Sequence, residues 1–193
     1  AKLAEGLPQA LPNYQPGVCV HEGRAVIAVL GPRESSPDGE GTELSSRLGG
    51  CLAAAGYGIA LVGAGPGPAN AASSALAAGG RVIGFAGPDM PVPDLDQDPG
   101  TFEIRRHASY FTALEATLEL SDAVMVIDPD ISALAALLHV WSYGQTLEGP
   151  YQPLVLLGDE WPKVVKSIAD AAGLDRRTRA MVTFAATPEE AVE

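Results

Sequence analysis

Short, mostly apolar runs separated by stretches of helical spacing constrain this chain more than any other feature. Residues 24–30, 59–62, 81–86, 122–127, 153–157 and 181–185 each read as a strand. Between them, Leu44, Leu48 and Leu52 fall four apart, and Leu134, Leu137, Leu138 and Trp141 keep helical spacing. Residues 110–120 and 161–172 read as further helices, 102–106 as a short strand, and 187–190 as the opening of a terminal helix. A strand with one wet face alternates apolar and polar residues, whereas a strand covered on both faces is apolar throughout. The pattern therefore predicts an α/β fold, a doubly wound and mainly parallel sheet with helices on both faces. Ligands of such sheets sit beyond the carboxyl ends of the strands, near the point where strand order reverses. The loops after Leu30, Val62, Ala86 and Ile127 are where function is expected.

Residues 1–23, with Pro8, Pro12 and Pro16 and no periodicity, read as an N-terminal arm, and 24–193 as a single domain without linker or repeat. The chain carries 24 acidic residues against 12 basic, a net charge of −12. Such a surface repels nucleic acid and anionic membranes at long range, so neither is expected as a partner. Cys19 and Cys51 have no metal or redox spacing, and Cys51, in a helical pattern, reads as a buried thiol of a reducing compartment. No apolar run approaches the roughly 20 residues of a membrane span, and the N-terminus shows no signal-peptide pattern, which together predict a cytoplasmic protein.

The stretch with most chemical content is Ile59-Ala-Leu-Val-Gly-Ala-Gly-Pro-Gly-Pro-Ala-Asn-Ala-Ala-Ser73. An apolar strand runs into a loop with glycine at 63, 65 and 67, and the loop into an alanine-rich helix. Glycine lets backbone approach a phosphate, and the first amides of a helix point outward unsatisfied and partly positive. Pro66 and Pro68 are tolerated because the first helical turn has no internal partners for its N–H groups. A tight turn with no ligand would use the same glycines, so the pattern alone leaves both readings open.

Other chemistries find less support. A dinucleotide motif would need glycine where Pro68 stands, and the loop follows the second strand rather than the first. No Gly-Lys-Ser/Thr occurs, which excludes a P-loop. Asp94, Asp96 and Asp98 alternate like calcium ligands, but Pro99 and Arg105 occupy the positions that require Gly and Glu, so the stretch reads as a solvated acidic loop and no metal is expected. His21, His107 and His139 are scattered and form no triad or zinc spacing. Arg105-Arg106-His107 is a small basic cluster that could meet a phosphate or serve in surface ion pairs.

Together these segments resemble the LOG (Lonely Guy) family of Rossmann-like nucleoside 5′-monophosphate phosphoribohydrolases, proteins often labelled lysine decarboxylases. The likeness covers residues 24–193. Leu48-Gly-Gly-Cys-Leu-Ala-Ala-Ala-Gly56 is similar to the family's LGxxLAxxG helix, Val62-Gly-Ala-Gly-Pro-Gly67 to its TGGGPG phosphate loop, and Ala78-Gly-Gly-Arg-Val-Ile-Gly84 to its AGGxxIG. Leu120-Ser-Asp-Ala-Val-Met-Val-Ile127 resembles the strand before its catalytic loop, and Gln145-Thr146, Pro153-Leu-Val-Leu-Leu-Gly158 and Thr187-Pro-Glu-Glu190 match further landmarks. The resemblance implies a Rossmann-like fold and a homodimer, with the apolar faces around Leu134, Leu137 and Leu114 available for the contact.

The departures fall on the catalytic groups. The family's PGGxGTxxE signature aligns with Asp128-Pro-Asp-Ile-Ser-Ala-Leu-Ala-Ala136, so its glutamate falls on Ala136. Its catalytic arginine falls on Ala113, the following lysine on Leu114, the glutamate of GIMEAA on Asn70, and the serine after the first strand on Pro32. N-glycosidic hydrolysis needs a carboxylate and a cation, which methyl groups do not replace. The expectation is a protein that binds a nucleoside monophosphate or similar phosphorylated ligand without hydrolysing it, with no separate cofactor and no catalytic residues of its own. Gly31, Arg33, Gly63, Gly65, Pro66, Gly67, Asn70 and Asp128 are the expected binding residues. The alternatives are a diverged hydrolase that uses Asp128 or Asp130, with Arg105 or Arg106 as its cation, and an assembly scaffold with a vestigial pocket.

Overall fold

A computed structural model describes residues 25–32, 40–63, 65–93, 95, 101–145 and 152–193. The expected arm, Arg33 and the aspartates at 94, 96 and 98 lie outside the described residues. In chain order the elements are β1 (Val26–Leu30), α1 (Glu40–Ala54), β2 (Gly58–Val62), α2 (Pro66–Ala77), β3 (Val82–Ala86), β4 (Phe102–Arg106), α3 (Tyr110–Leu120), β5 (Ala123–Ile127), α4 (Ile131–Tyr143), β6 (Leu154–Leu157), α5 (Trp161–Ala172), α6 (Arg176–Arg179), β7 (Val182–Ala185) and α7 (Pro188–Val192). All neighbouring strands pair in parallel, in the order β4-β3-β2-β1-β5-β6-β7. The doubly wound, Rossmann-like sheet expected from the sequence is the fold of the chain.

Each apolar run feeds two layers. In β1, Ile27 and Val29 join Leu48 and Leu52 of α1 and Ala71, Ala72 and Ala75 of α2. Ala28 and Leu30 point the other way, into a cluster with Leu114 of α3, Leu137 of α4 and Trp161 of α5. Both faces of the strand are thus dry, which is why it could not alternate. A third cluster sets Ala113 and Leu120 of α3 on Ala60, Ile83 and Phe85.

Several residues that carry the family resemblance have packing roles. A side-chain carbon on Gly49 would lie 1.9 Å from the Ala71 carbonyl oxygen, so α1 and α2 cross at a distance only glycine allows. Asp122 joins the starts of β1 and β5, its carboxylate accepting from the Val26 N–H at 2.8 Å while its own N–H donates to the Val26 carbonyl at 2.7 Å.

Some boundaries differ from expectation. Helix α1 begins at Glu40, a turn ahead of Leu44, the first residue of its leucine spacing. Strand β2 opens at Gly58, one residue ahead of the expected 59, the left-handed Gly56 (φ 83°) having already turned the chain. The short α6 has no apolar stripe to announce it, and is nucleated by Asp175, which accepts from the Thr178 N–H at 2.7 Å. Cys51 is half-buried rather than buried, because its side of α1 faces α7, where its thiol lies 3.7 Å from Glu189. Burial and then the Glu189 carboxylate push the Cys51 thiol up, away from the reactive thiolate.

Candidate functional site

Strand order reverses at β1, which pairs with β2 on one side and β5 on the other. Beyond the carboxyl ends of β1, β2 and β3 lies an open cavity of about 310 Å³, bordered by the first turns of α2, α3 and α4. This is where a doubly wound sheet holds its ligands. Three helix N-termini therefore direct their positive ends toward one space.

Two of those termini are already capped. At α3, Ser109 and Thr112 form a reciprocal capping box. At α4 the Asp130 carboxylate accepts from the Ala133 N–H at 2.6 Å. Helix α2 differs, because its N-cap is Gly65, with no side-chain cap. With proline at 66 and 68, the donors left in its first turn are the Gly65 and Gly67 N–H groups, and neither has an acceptor among the described residues. The expected cluster of helix amides is reduced by its two prolines to this pair.

The structure brings some of the expected binding residues together and leaves others outside. Gly31, Gly63 and Gly65 line the cavity, joined by Pro68. Pro66, Gly67, Asn70 and Asp128 are not in the lining. Gly67 backs the loop: a side-chain carbon there would meet Pro32 Cδ at 3.3 Å and Ser45 Oγ at 3.5 Å. Asp128 has a left-handed backbone (φ 33°), and its Oδ1 lies 2.5 Å from the position a Gly158 side chain would take. The carboxylate rests on the end of β6, and Gly158 is glycine to admit it.

The positions where the resemblance places catalytic groups also separate. Ala136 lines the cavity, so a methyl stands at its wall. Ala113 is fully buried among Ala60, Ile83 and Phe85, on the sheet rather than in the cavity. The basic cluster divides as well. Arg105 is bound to Glu103 at 2.8 Å and lies 5.7 Å from the centre of the Phe85 ring. Arg106 donates to the carbonyls of Gly87 and Met90 at 3.1 and 3.0 Å.

Met90, Pro91, Tyr110 and Ser132 complete the lining, and sequence reasoning missed all four. Met90 and Pro91 sit in a proline-rich loop whose acidity drew attention instead. Tyr110 and Ser132 are first-turn helix residues whose place follows from the sheet topology. Among the described residues no group of three His, Cys, Asp or Glu side chains is placed to hold a metal, and no helix is long and apolar enough to cross a membrane.

No protein-family model matches the chain, and none of the curated proteins matches it. Solved structures do. The molybdenum cofactor binding protein of the phototrophic bacterium Rippkaea orientalis is similar at 17% identity, over 86% of this chain and 92% of that one, with a TM-score of 0.65. The molybdenum cofactor carrier protein of Chlamydomonas reinhardtii is similar at 19% identity, over 88% of this chain and 94% of that one, with a TM-score of 0.59. A structural-genomics target is similar at 24% identity, over 87% and 96% of the two chains, with a TM-score of 0.65. At these identities the likeness establishes the fold, the Rossmann-like one that the sequence landmarks imply.

Proposed function

We propose that this chain is a LOG-like binding protein that holds a nucleotide or related phosphorylated small molecule in the cavity at the strand-order reversal, and that it does not cleave it. One observation carries the reading: the uncapped N-terminus of α2 offers the Gly65 and Gly67 amides, with no acceptor among the described residues, and Gly65 lines a cavity whose wall, at the position of the family's glutamate, is the Ala136 methyl. The amides suit an anion. Among the described residues no carboxylate lines the cavity, and Ser132 and Tyr110 are the lining side chains with a hydroxyl. Two of the structural neighbours are named as molybdenum cofactor binding or carrier proteins, and a carrier is a protein for which binding without turnover is the function. A cofactor of that class belongs beside nucleotides on the list of ligands to test.

The runner-up, a hydrolase using Asp128 or Asp130, has weaker support. Asp130 is committed to capping α4, and Asp128 stands over Gly158. We also read the protein as a homodimer, with a changed interface. Leu114 and Leu137 are 1% and 0% exposed and belong to the monomer's own core. Among the described residues, α3 and α4 leave Phe111 at 66%, Ile131 at 81%, Leu138 at 46% and Tyr143 at 36% exposure, while Phe184 of β7 lies elsewhere at 38%.

Calorimetry against nucleoside mono-, di- and triphosphates tests the binding claim, with Ala136→Leu as the cavity-filling control. Saturable binding by the parent protein, weakened about tenfold or more in the variant, is the expected result, because extra methylenes displace a ligand from a packed pocket. No binding of any member by the parent protein would favour the scaffold. Release of free base from AMP, lost on Asp128→Asn or Asp130→Asn, would install the hydrolase.

A further inference from the structure

We propose that Met90 is the specificity-determining side chain of the cavity and that Arg106 is the positioning residue that sets it. The inference rests on the reading that the cavity is the ligand site.

The turn after β3 folds back on itself, with the Met90 N–H donating to the Gly87 carbonyl at 3.4 Å. It passes through a narrow slot. A side-chain carbon on Gly87 would come within 3.2 Å of the Ser109 carbonyl carbon and the Tyr110 nitrogen, at the start of α3. On the side of the glycine loop, the Met90 methyl lies 2.8 Å from where a Gly63 side chain would begin. Gly63 also has a left-handed backbone (φ 71°). It is thus glycine for two reasons, its turn and the thioether resting on it.

The turn therefore lies between the glycine loop, which Met90 meets, and the start of α3, which Gly87 meets, and Met90 forms part of the cavity wall with Pro91 and Tyr110. Methionine is long, unbranched and polarisable, and packs well against aromatic edges. A wall of thioether, proline and tyrosine suits the flat heteroaromatic part of a ligand, while the Gly65 and Gly67 amides suit its phosphate. How far the thioether reaches sets how large a ring the cavity accepts.

Arg106 fixes that reach from outside. One nitrogen of its guanidinium binds both carbonyls of the turn, Gly87 at 3.1 Å and Met90 at 3.0 Å. Its neighbour Arg105 spends its charge on Glu103, whereas Arg106 makes no ion pair among the described residues. Charge-assisted bonds to two carbonyls of one turn hold its curvature more firmly than the single neutral bond within it.

The test compares the parent protein with Met90→Ala, Arg106→Gln and Arg106→Lys, after melting curves show each variant folded. Calorimetry uses AMP and N6-benzyl-AMP as probes. Met90→Ala is expected to raise the affinity ratio of the larger probe to the smaller about tenfold, the scale on which a few methylenes discriminate. Arg106→Gln should weaken both probes, with Arg106→Lys recovering part of the loss. Without ligand, hydrogen exchange at the Met90 amide should quicken about tenfold in Arg106→Gln, as a local opening made easier by the loss of its anchor. An unchanged affinity ratio in Met90→Ala overturns the role of Met90. Unchanged exchange in Arg106→Gln overturns the role of Arg106. If the parent protein binds neither probe, the cavity reading fails and the claim for Met90 falls with it, whereas the exchange result still decides the claim for Arg106.

Discussion

A single carboxylate at position 122 does more for this fold than its surface setting suggests. Asp122 accepts from the Val26 N–H and donates its own N–H back, locking β1 to β5 where strand order reverses. Asp122→Ala leaves that N–H without its acceptor and should lower stability by about 1–3 kcal/mol, measured by denaturant melts. Gly158→Ala should cost a similar amount, about 1–3 kcal/mol, because φ is 132° and the new methyl would strike Asp128. At this scale the sequence was a partial guide to the site. Gly31, Gly63 and Gly65, expected as binding residues, line the cavity, and the strand-to-helix turns that abut it use glycine. Met90 and Ser132 were not expected, because nothing local marks a methionine or a serine as lining anything until the sheet topology brings three loops together. Gly67 stands apart from the other glycines: a side-chain carbon there would face Pro32 and Ser45, which leaves its N–H as the group it can offer an anion.

Between elements, the closest approach is that of α1 and α2 at Gly49 and Ala71. Gly49→Ala would force the helices apart, and the expected loss is about 3 kcal/mol, the upper range for overpacking a tight core. A melting temperature within a degree of the parent's would contradict that crossing. The last helix, α7, is tied to α1 by Arg47, whose Nη2 lies 2.9 and 2.8 Å from the two Glu189 oxygens. That guanidinium holds the Glu189 carboxyl below its ordinary 4.5. A carboxyl lowered in the folded state stabilises above its unfolded value and loses that contribution as pH falls through the lowered one. Acidification below about pH 4.5 should therefore loosen α7, and Arg47→Met should flatten that part of the stability profile; an identical acid limb in both proteins would contradict it. Most element types were legible, because strands buried on both faces leave continuous apolar runs, but α6 was not. Helix starts were less so: α1 opens on polar residues at Glu40, ahead of its leucine stripe, and α6 depends on one aspartate cap.

For the molecule as a whole, the likeness to solved structures gives the fold, and binding without cleavage is the function proposed for it. A monomer with Phe111, Ile131 and Leu138 exposed on α3 and α4 should associate. Sedimentation at micromolar concentration should show a dimer, and Ile131→Glu together with Leu138→Glu should return it to a monomer with an unchanged fold. A parent protein that sediments as a monomer at every concentration would contradict the homodimer. Binding without turnover can be followed by native mass spectrometry of the protein incubated with AMP over hours. The expected result is a complex whose added mass is that of intact nucleotide, undiminished with time, and no free adenine in the solution. A bare protein at saturating nucleotide, or a complex that decays as adenine and ribose phosphate accumulate, would contradict it.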